Sequence, residues 1–504
     1  MREQLLLLPA LLIAHLRLSL LALLVGVCIS LPLAALASRR PWLAQLAQSG
    51  AALVQTIPSL ALLALMVPLL GAIGWSSIGF LPAFIALVLY SLLPVLANTI
   101  AALTTLPAEV GEAARGVGMN DWQQLTLVEL PLALPLIITG VRTAAVWTVG
   151  AATLATPVGA DSLGNFIFSG LQTRNVAAVL VGCCAAAALA LLLDGLGKLL
   201  LSGIRRRRRP RTALALSALG ALYVVAAAAR PFTTPETLTV GAKTFTEQYI
   251  LAELLAERVR TVAHRPARVL ASLGSNVAFD ALSNGDIDTY VEYTGTLWTA
   301  VMKRGAVPAD RAELLTEIRG YLAQRGVSLV AELGFDNSYA LAMQRARAER
   351  GNLRSIGDLA RVSAELSMGA DYEFFARPEW ASLQSVYGID FRERRSMDPA
   401  LMYQALQTGA VDVISAYSTD GRIAADDLVL LEDEQHAIPP YDAVVLAGRA
   451  LRERHPEALA ALAELSHSID SEQMRRANAA VDLQHRSVAD VAHELAQRGA
   501  RSQR

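Results

Sequence analysis

Cysteine is scarce in this 504-residue chain: Cys28, Cys183 and Cys184 are the only three, and none follows residue 184. That excludes a disulfide framework or a cysteine-built zinc site from everything downstream. The three lie in apolar stretches and read as small residues packed between helices. Acid is scarce too, but only at first. Up to residue 235 there are 7 Asp or Glu against 15 Lys or Arg; afterwards 38 acids outnumber 29 bases. A single uniform globular domain is excluded by this asymmetry, which instead predicts an apolar, basic part joined to an acidic, water-soluble part. Also missing is a phosphate-binding loop of the form G-x-x-x-x-G-K-[ST]. The nearest candidate, DGLGKLL at 194–200, has the wrong spacing and sits in an apolar helical stretch. The seven histidines show no metal-ligand spacing, and no Ser/His/Asp set stands out, so an enzymatic reading has no support.

Long hydrophobic runs are present instead. A membrane-spanning helix needs roughly 20 mostly apolar residues. Six stretches meet or approach this, at about 16–38, 51–71, 78–100, 132–155, 176–201 and 212–229. The first is not read as a cleaved signal peptide, because further apolar runs follow and no clean cleavage site stands out. Arg39 and Arg40 follow the first run, Arg115 lies between the third and fourth, and Arg205 to Arg209 with Arg211 lie between the fifth and sixth. If these loops are cytoplasmic, the positive-inside rule is obeyed throughout. The N-terminus and everything after the sixth run are then external. The apolar stretch before Arg17 is expected along the membrane surface. The arginine run reads as a topology anchor near anionic membrane lipid, not as a nucleic-acid site.

Residues 230–237 (RPFTTPET) read as a short linker between a domain at 1–229 and one at 238–504. Beyond it, short β-like runs such as LTV, ARVLAS and VDVIS alternate with helical stretches, which predicts an α/β domain with a mainly parallel sheet. Its length suits two lobes, and its last part, about 450–499, reads as helical. The fold class is therefore multidomain: an all-α polytopic membrane domain of about six spans, then a two-lobed α/β domain. No internal repeat is visible.

Between the third and fourth runs lies PAEVGEAARGVGMNDWQQLTLVELPLALP. Here Glu112, Ala113 and Ala114 are followed by Gly118, and then by Val128, Glu129, Leu130 and Pro131. Small residues let a short helix approach a partner closely, Gly118 permits a sharp reversal, and Asn120 or Asp121 can cap the next helix. Pro131 is expected to end the segment before the next span. The spacing resembles the cytoplasmic motif of ABC importer permeases, E-A-A, three residues, G, nine residues, I-x-L-P, with Val in place of Ile. The resemblance implies a loop that docks on an ATPase subunit, supplied by a separate polypeptide.

The second part opens TLTVGAKTFTEQYILAELL and continues through DTYVEYTGTLW, FDNSYALAM, YEFFARPEW, ISAYSTDGRI and IPPYDAVVL. Over nearly all of 238–500 it resembles the binding proteins for glycine betaine, carnitine and choline, which are two-lobed periplasmic-binding-protein-like domains. A trimethylammonium group has no N–H to donate and is held by the negative faces of aromatic rings. The resemblance implies such a box at Tyr293, Tyr339, Tyr417 and Tyr441, with Tyr290 as a rival to Tyr293. For a ligand carboxylate it implies Lys243, Thr296 and Arg377, which offer charge-assisted and hydroxyl hydrogen bonds. Thr246 reads as a helix cap, and Glu247 as an acid favouring a helix N-terminus.

Together these resemblances imply an importer subunit in a bacterial inner membrane, its binding domain external, importing a quaternary-ammonium solute of the betaine type. They imply a homodimer with two ATPases, since six spans cannot line a pathway alone, and no cofactor, metal or nucleic acid. The lobes are expected to divide at about 238–340 with 441–504, and 345–437. Alternatives are the same layout carrying an amino acid, which would need an acidic group for the amine, or carrying choline or ergothioneine. A non-transporting sensor is disfavoured by the coupling motif.

Overall fold

The computed structural model describes residues 2–173, 175–228, 237–304, 311–371, 374–397 and 399–502. The expected linker at 230–237 falls, apart from Thr237, outside the described residues. The chain divides into two compact units, one drawn from residues 1–170 and 176–232, the other from 171–175 and 233–504.

The first unit is helical. Among the described residues, five helices are long and apolar enough to cross a membrane: Leu6–Ala37, Phe80–Thr104, Asp121–Val158, Val176–Arg205 and Arg209–Ala228. The stretch before Arg17 is not separate: one continuous helix runs Arg2–Ala37, and Arg17 lies 5.1 Å from the centre of the Phe80 ring. The expected second span is broken. Pro41–Thr56 and Ser59–Ala72 meet at 98°, and only as a pair do they amount to a sixth span. Pro58 explains the break: it lacks an N–H to continue the helix, and it pushes Ile57 into an extended conformation (φ −73°, ψ 125°).

The three cysteines are not packed between helices but lie on the exposed surface of this unit. The contact in that region falls to Gly182, where an added Cβ would come within 2.9 Å of Ile167. Each further residue turns about 100° around the helix, which carries Cys183 and Cys184 away from that contact. Large apolar side chains such as Leu180, Leu191 and Val224 are likewise exposed, as a lipid-facing surface requires.

Among the described residues the second unit contains two five-stranded sheets. With strands numbered along the chain, the first sheet holds β1 (Leu238–Lys243), β2 (Ala267–Leu273), β3 (Thr289–Tyr293), β4 (Ser328–Asp336) and β10 (Asp442–Ala447), in the order β2-β1-β3-β10-β4. The second holds β5 (Tyr339–Gln344), β6 (Ser367–Ala370), β7 (Glu393–Ser396), β8 (Val413–Tyr417) and β9 (Leu428–Leu430), in the order β7-β6-β8-β5-β9. Neither sheet is wholly parallel. In the first, β10 runs antiparallel to both β3 and β4; in the second, β5 runs antiparallel to both β8 and β9. The reversed strand is in each case the one by which the chain enters from the other lobe, through residues 337–338 or through 431–441. A strand entering from the junction must run away from it, whereas strands closed by a helical crossover all run towards it. The carboxyl ends of the forward strands and the starts of β5 and β10 therefore converge on the junction between lobes, where ligands of open α/β sheets bind.

One buried apolar cluster links the lobes: Val240, Leu254, Leu333 and Val445 of the first belong with Met368, Leu383 and Val413 of the second. Among the described residues the C-terminal part forms the helices Arg449–Arg454, Pro456–Ala463, Ser471–Asp482 and Val488–Ser502.

Candidate ligand-binding site and coupling segment

Five of the residues singled out in the second unit, Lys243, Tyr293, Tyr339, Tyr417 and Tyr441, stand at strand ends on the junction side. Lys243 ends β1, Tyr293 ends β3 with Thr296 one turn on, Tyr339 starts β5, Tyr417 ends β8, and Tyr441 immediately precedes β10. Arg377 precedes Pro378 at the N-terminus of the helix Pro378–Tyr387, held extended (φ −84°, ψ 154°) as a residue before proline must be.

Tyr339 and Tyr417 are directly opposed across the β5–β8 ladder. Side chains opposed in this way share one face of the sheet, so their ring centres lie 4.8 Å apart and the Tyr417 hydroxyl donates to the Tyr339 hydroxyl at 3.1 Å. Tyr441 meets Tyr339 edge-on at 6.1 Å. Phe374, not singled out by its sequence, completes the cluster 5.1 Å from Tyr339. The Arg377 guanidinium carbon stands 5.5 Å from the centre of the Tyr339 ring. Burial raises the pKa of the Tyr339 phenol well above its ordinary value, with Tyr417 adding to the effect; it stays protonated near neutrality. Gly295 fits flat against the Tyr441 ring, where a Cβ would come within 2.6 Å of ring carbons.

A second group belongs to the first lobe. The Lys243 ammonium is 4.9 Å from the centre of the Tyr293 ring and 5.8 Å from that of Phe245. Lys243 is not a solvated cation: it is buried and ion-paired with the fully buried Glu292, so part of its charge is already answered. The rival Tyr290 is completely buried and donates to the other oxygen of Glu292 at 3.1 Å, behind that pair. A third component is Glu379, in the first turn after Arg377. It is fully buried, it accepts from the Tyr441 hydroxyl, and burial raises its pKa while the Arg377 charge opposes the rise. A cleft of about 1040 Å³ runs along the junction, lined by Thr299 and Asp336 from the first lobe, by Tyr339, Glu379 and Ser382 from the second, and by Pro440 of the return crossing.

Thr246 is not the helix cap. The helix Thr246–Thr261 has Phe245 in the cap position, and the Thr246 hydroxyl donates to Asp482 at 2.6 Å. Glu247 does stand in the first turn of that helix, as expected, but it is buried there. It is 3% exposed and accepts from Tyr293 Oη (2.5 Å), Asn337 Nδ2 (2.9 Å), Thr419 Oγ1 (2.5 Å) and Asn478 Nδ2 (3.0 Å). Burial raises its pKa and the four donors work against that. No local signal reveals this: Thr419 and Asn478 lie 172 and 231 residues away.

In the helical unit, Glu112, Ala113 and Ala114 lie on the short helix Ala108–Gly116. Gly118 has φ +84°, the left-handed reversal that glycine permits. Asn120 caps the next helix through a reciprocal box with Gln123. Leu130 and Pro131 open the next helix, so Pro131 does not end the segment as expected. A wide π-helical turn, Gln124–Glu129, runs straight into the helix Leu130–Ala152. The wider turn accommodates a proline ring that would clash in a regular α-helix. Glu129 accepts from Gln124 (2.7 Å) and from Arg39 (2.6 Å), tying the segment to the end of the first helix. Ala114 packs inward, while Glu112, Ala113, Val117 and Trp122 are exposed. Among the described residues no group of three or more His, Cys, Asp or Glu is arranged to hold a metal ion.

Residues 26–206 match the family described as binding-protein-dependent transport system inner membrane component. Residues 236–498 match the substrate binding domain of ABC-type glycine betaine transport systems. The chain is 31% identical over 461 residues to the ergothioneine transport permease/ergothioneine binding protein of Helicobacter pylori, covering 88% of this chain and 81% of that one. It is 43% identical over 182 residues to an osmoprotectant import permease protein of Salmonella typhimurium, covering 36% of this chain and 84% of that one. Over 267 residues it is 30% identical to a carnitine transport binding protein of Listeria monocytogenes, covering 52% and 87% respectively. The class is thus a permease joined to a solute-binding domain, a subunit of an ABC importer. The chain belongs to the family of ABC-type glycine betaine transport system substrate-binding domains, here joined to a permease domain.

Proposed function

We propose that the second unit captures a zwitterion bearing a trimethylammonium group and a carboxylate, and that the helical unit passes it inward. The observation that carries this reading is an aromatic cluster with a guanidinium at its edge: Tyr339, Tyr417 and Tyr441 together, and Arg377 5.5 Å from the Tyr339 ring. Ring faces attract a cation that cannot donate hydrogen bonds. An adjacent arginine takes a carboxylate through two nitrogens. Tyr293, Thr296 and Lys243 complete the set from the first lobe, Lys243 offering the donors that Glu292 leaves. Glycine betaine, carnitine and ergothioneine all have this chemistry, and two of the named relatives are named for ergothioneine and for carnitine. Choline lacks the carboxylate and is the weaker ligand on this reading.

ATP is hydrolysed by a separate subunit, which docks on the exposed face around Glu112, Ala113 and Gly118. Two copies of this chain form the pathway in a bacterial inner membrane, with the binding unit on the external side.

Calorimetry on the full chain in lipid nanodiscs tests the site, with glycine betaine, carnitine, ergothioneine, choline and glutamine as ligands. One betaine is expected to bind with a dissociation constant of about 1 μM. Arg377→Ala should weaken it about a hundredfold, as expected for a lost charge-assisted bond. Tyr417→Ala should weaken it roughly three- to thirtyfold. Glutamine binding, or betaine binding indifferent to both changes, overturns the assignment.

A further inference from the structure

The four donors to Glu247 come from four different parts of the fold. Tyr293 ends β3 in the first lobe. Asn337 lies in the outgoing crossing between lobes. Thr419 follows β8 in the second lobe. Asn478 is on the helix Ser471–Asp482. Two of these partners are tied to the aromatic site. Tyr293 supplies its own ring, and Thr419 is two residues beyond Tyr417 in the segment YSTDG.

The same segment is gripped from behind by the helix Ser471–Asp482. Asn478 Nδ2 also donates to the Thr419 carbonyl at 2.9 Å, Arg475 Nη2 donates to the Ser418 carbonyl at 3.0 Å, and Gly421 lies so close to the Ala479 backbone that a Cβ would come within 2.5 Å of it. On its other side the segment is stiffened by Asp420, which accepts from Tyr403 at 2.7 Å and pairs with Arg422. The segment that carries Tyr417 therefore moves with Thr419, and Thr419 is held to the first lobe by Glu247.

We propose that Glu247 is the latch of lobe closure: a positioning residue that touches no ligand and fixes the first-lobe ring Tyr293 and the second-lobe ring Tyr417 in one geometry only when the lobes are together. Separating the lobes removes the Thr419 bond and leaves a carboxylate to be solvated by water; bringing them together replaces that water with a fixed donor. Closure and assembly of the aromatic site are thus one event, and a ligand that stabilises the site stabilises the closed form. The proposal rests on the aromatic site being the ligand site, and its test separates the two.

The full chain in nanodiscs is labelled with a fluorescent pair at Glu313→Cys and Gln407→Cys, both exposed positions on opposite lobes, after replacing the three native cysteines with alanine. Glycine betaine, carnitine and ergothioneine are each added to the wild type, Glu247→Gln, Thr419→Val and the double variant. Whichever ligand binds the wild type should bind each single variant about ten- to a hundredfold more weakly, chiefly through faster release, the range expected for hydrogen bonds to a charged group. The double variant should be no worse than Glu247→Gln alone, because the bond that Thr419→Val removes is one of the four that Glu247 accepts. The distance between labels should lengthen in both single variants, with or without ligand. Thr419→Val leaves the buried carboxylate in place and reads the latch even if Glu247→Gln folds poorly. Additive losses, or weakened binding with unchanged distances, overturn the latch. If no member of the panel binds the wild type, the betaine reading falls, and the label distances decide the latch by themselves: longer in the variants supports it, unchanged overturns it.

Discussion

Burial changes what a charged side chain has to offer, and the site contains three instances. Lys243 looks from its motif like a cation waiting for a carboxylate, yet it lies under Tyr293 and already faces Glu292. Removing either partner leaves the other buried and uncompensated, which is costlier than the pair is valuable. Glu379 is held by the Tyr441 hydroxyl beside Arg377. Glu247 is surrounded by donors from both lobes. Small residues matter as much. Gly295 is required by the Tyr441 ring lying 2.6 Å from where a Cβ would be. Gly295→Ala must displace that ring, and overpacking of this kind costs about 1–3 kcal/mol. The expected result is a lowered melting temperature together with weaker binding of the solute. An unchanged melting temperature would mean that the ring yields freely and that Tyr441 is not fixed in the site.

Among the elements, the coupling segment is built from local devices. A nine-residue helix, a left-handed glycine, a capping box and a π-turn succeed one another within residues 108–130. Each can be argued from neighbours a few positions apart, which is why most of the segment was legible in the sequence. The exception was Pro131, where the wide turn lets the helix continue. Gly118→Val puts a branched side chain at φ +84° and costs roughly 1–2 kcal/mol in the left-handed region. The segment should then reverse less sharply. In reconstituted vesicles with the ATPase subunit present, solute uptake per ATP hydrolysed should fall while solute binding is unchanged. A fall in binding with normal coupling would place the effect elsewhere. The second apolar stretch shows the opposite limit. Its composition suits a straight span, but one proline bends it by 98°.

The whole molecule pairs a lipid-compatible unit with a two-lobed receptor, and the family supplies the sense of that pairing. Covalent attachment keeps the receptor at a high local concentration beside the membrane unit. Because two permease units are needed to enclose a pathway on the proposed reading, the purified assembly should contain two copies of this chain and two ATPase subunits. Native mass spectrometry of the complex checks this; one copy per particle would overturn the homodimer.

Some of this was legible in the sequence. Apolar runs of sufficient length, the charge asymmetry about residue 235 and the E-A-A spacing around Glu112 are periodic or local features, so composition and position were enough to read them. The K-T-F-T-E-Q and E-Y-T-G-T segments pointed to the binding family in the same way. The reversal of β5 and β10 was not legible, because it comes from the chain crossing twice between lobes and not from any pattern within a strand. Nor was Phe374 behind Tyr339, nor the outward-facing cysteines. By itself the sequence determined the two-part architecture and which aromatic and charged side chains were available to a site, since both depend on side-chain type and local spacing. Only the tertiary structure decided which charges were already paired and which carboxylate joined the lobes, because Glu247, Asn337, Thr419 and Asn478 are neighbours in space alone.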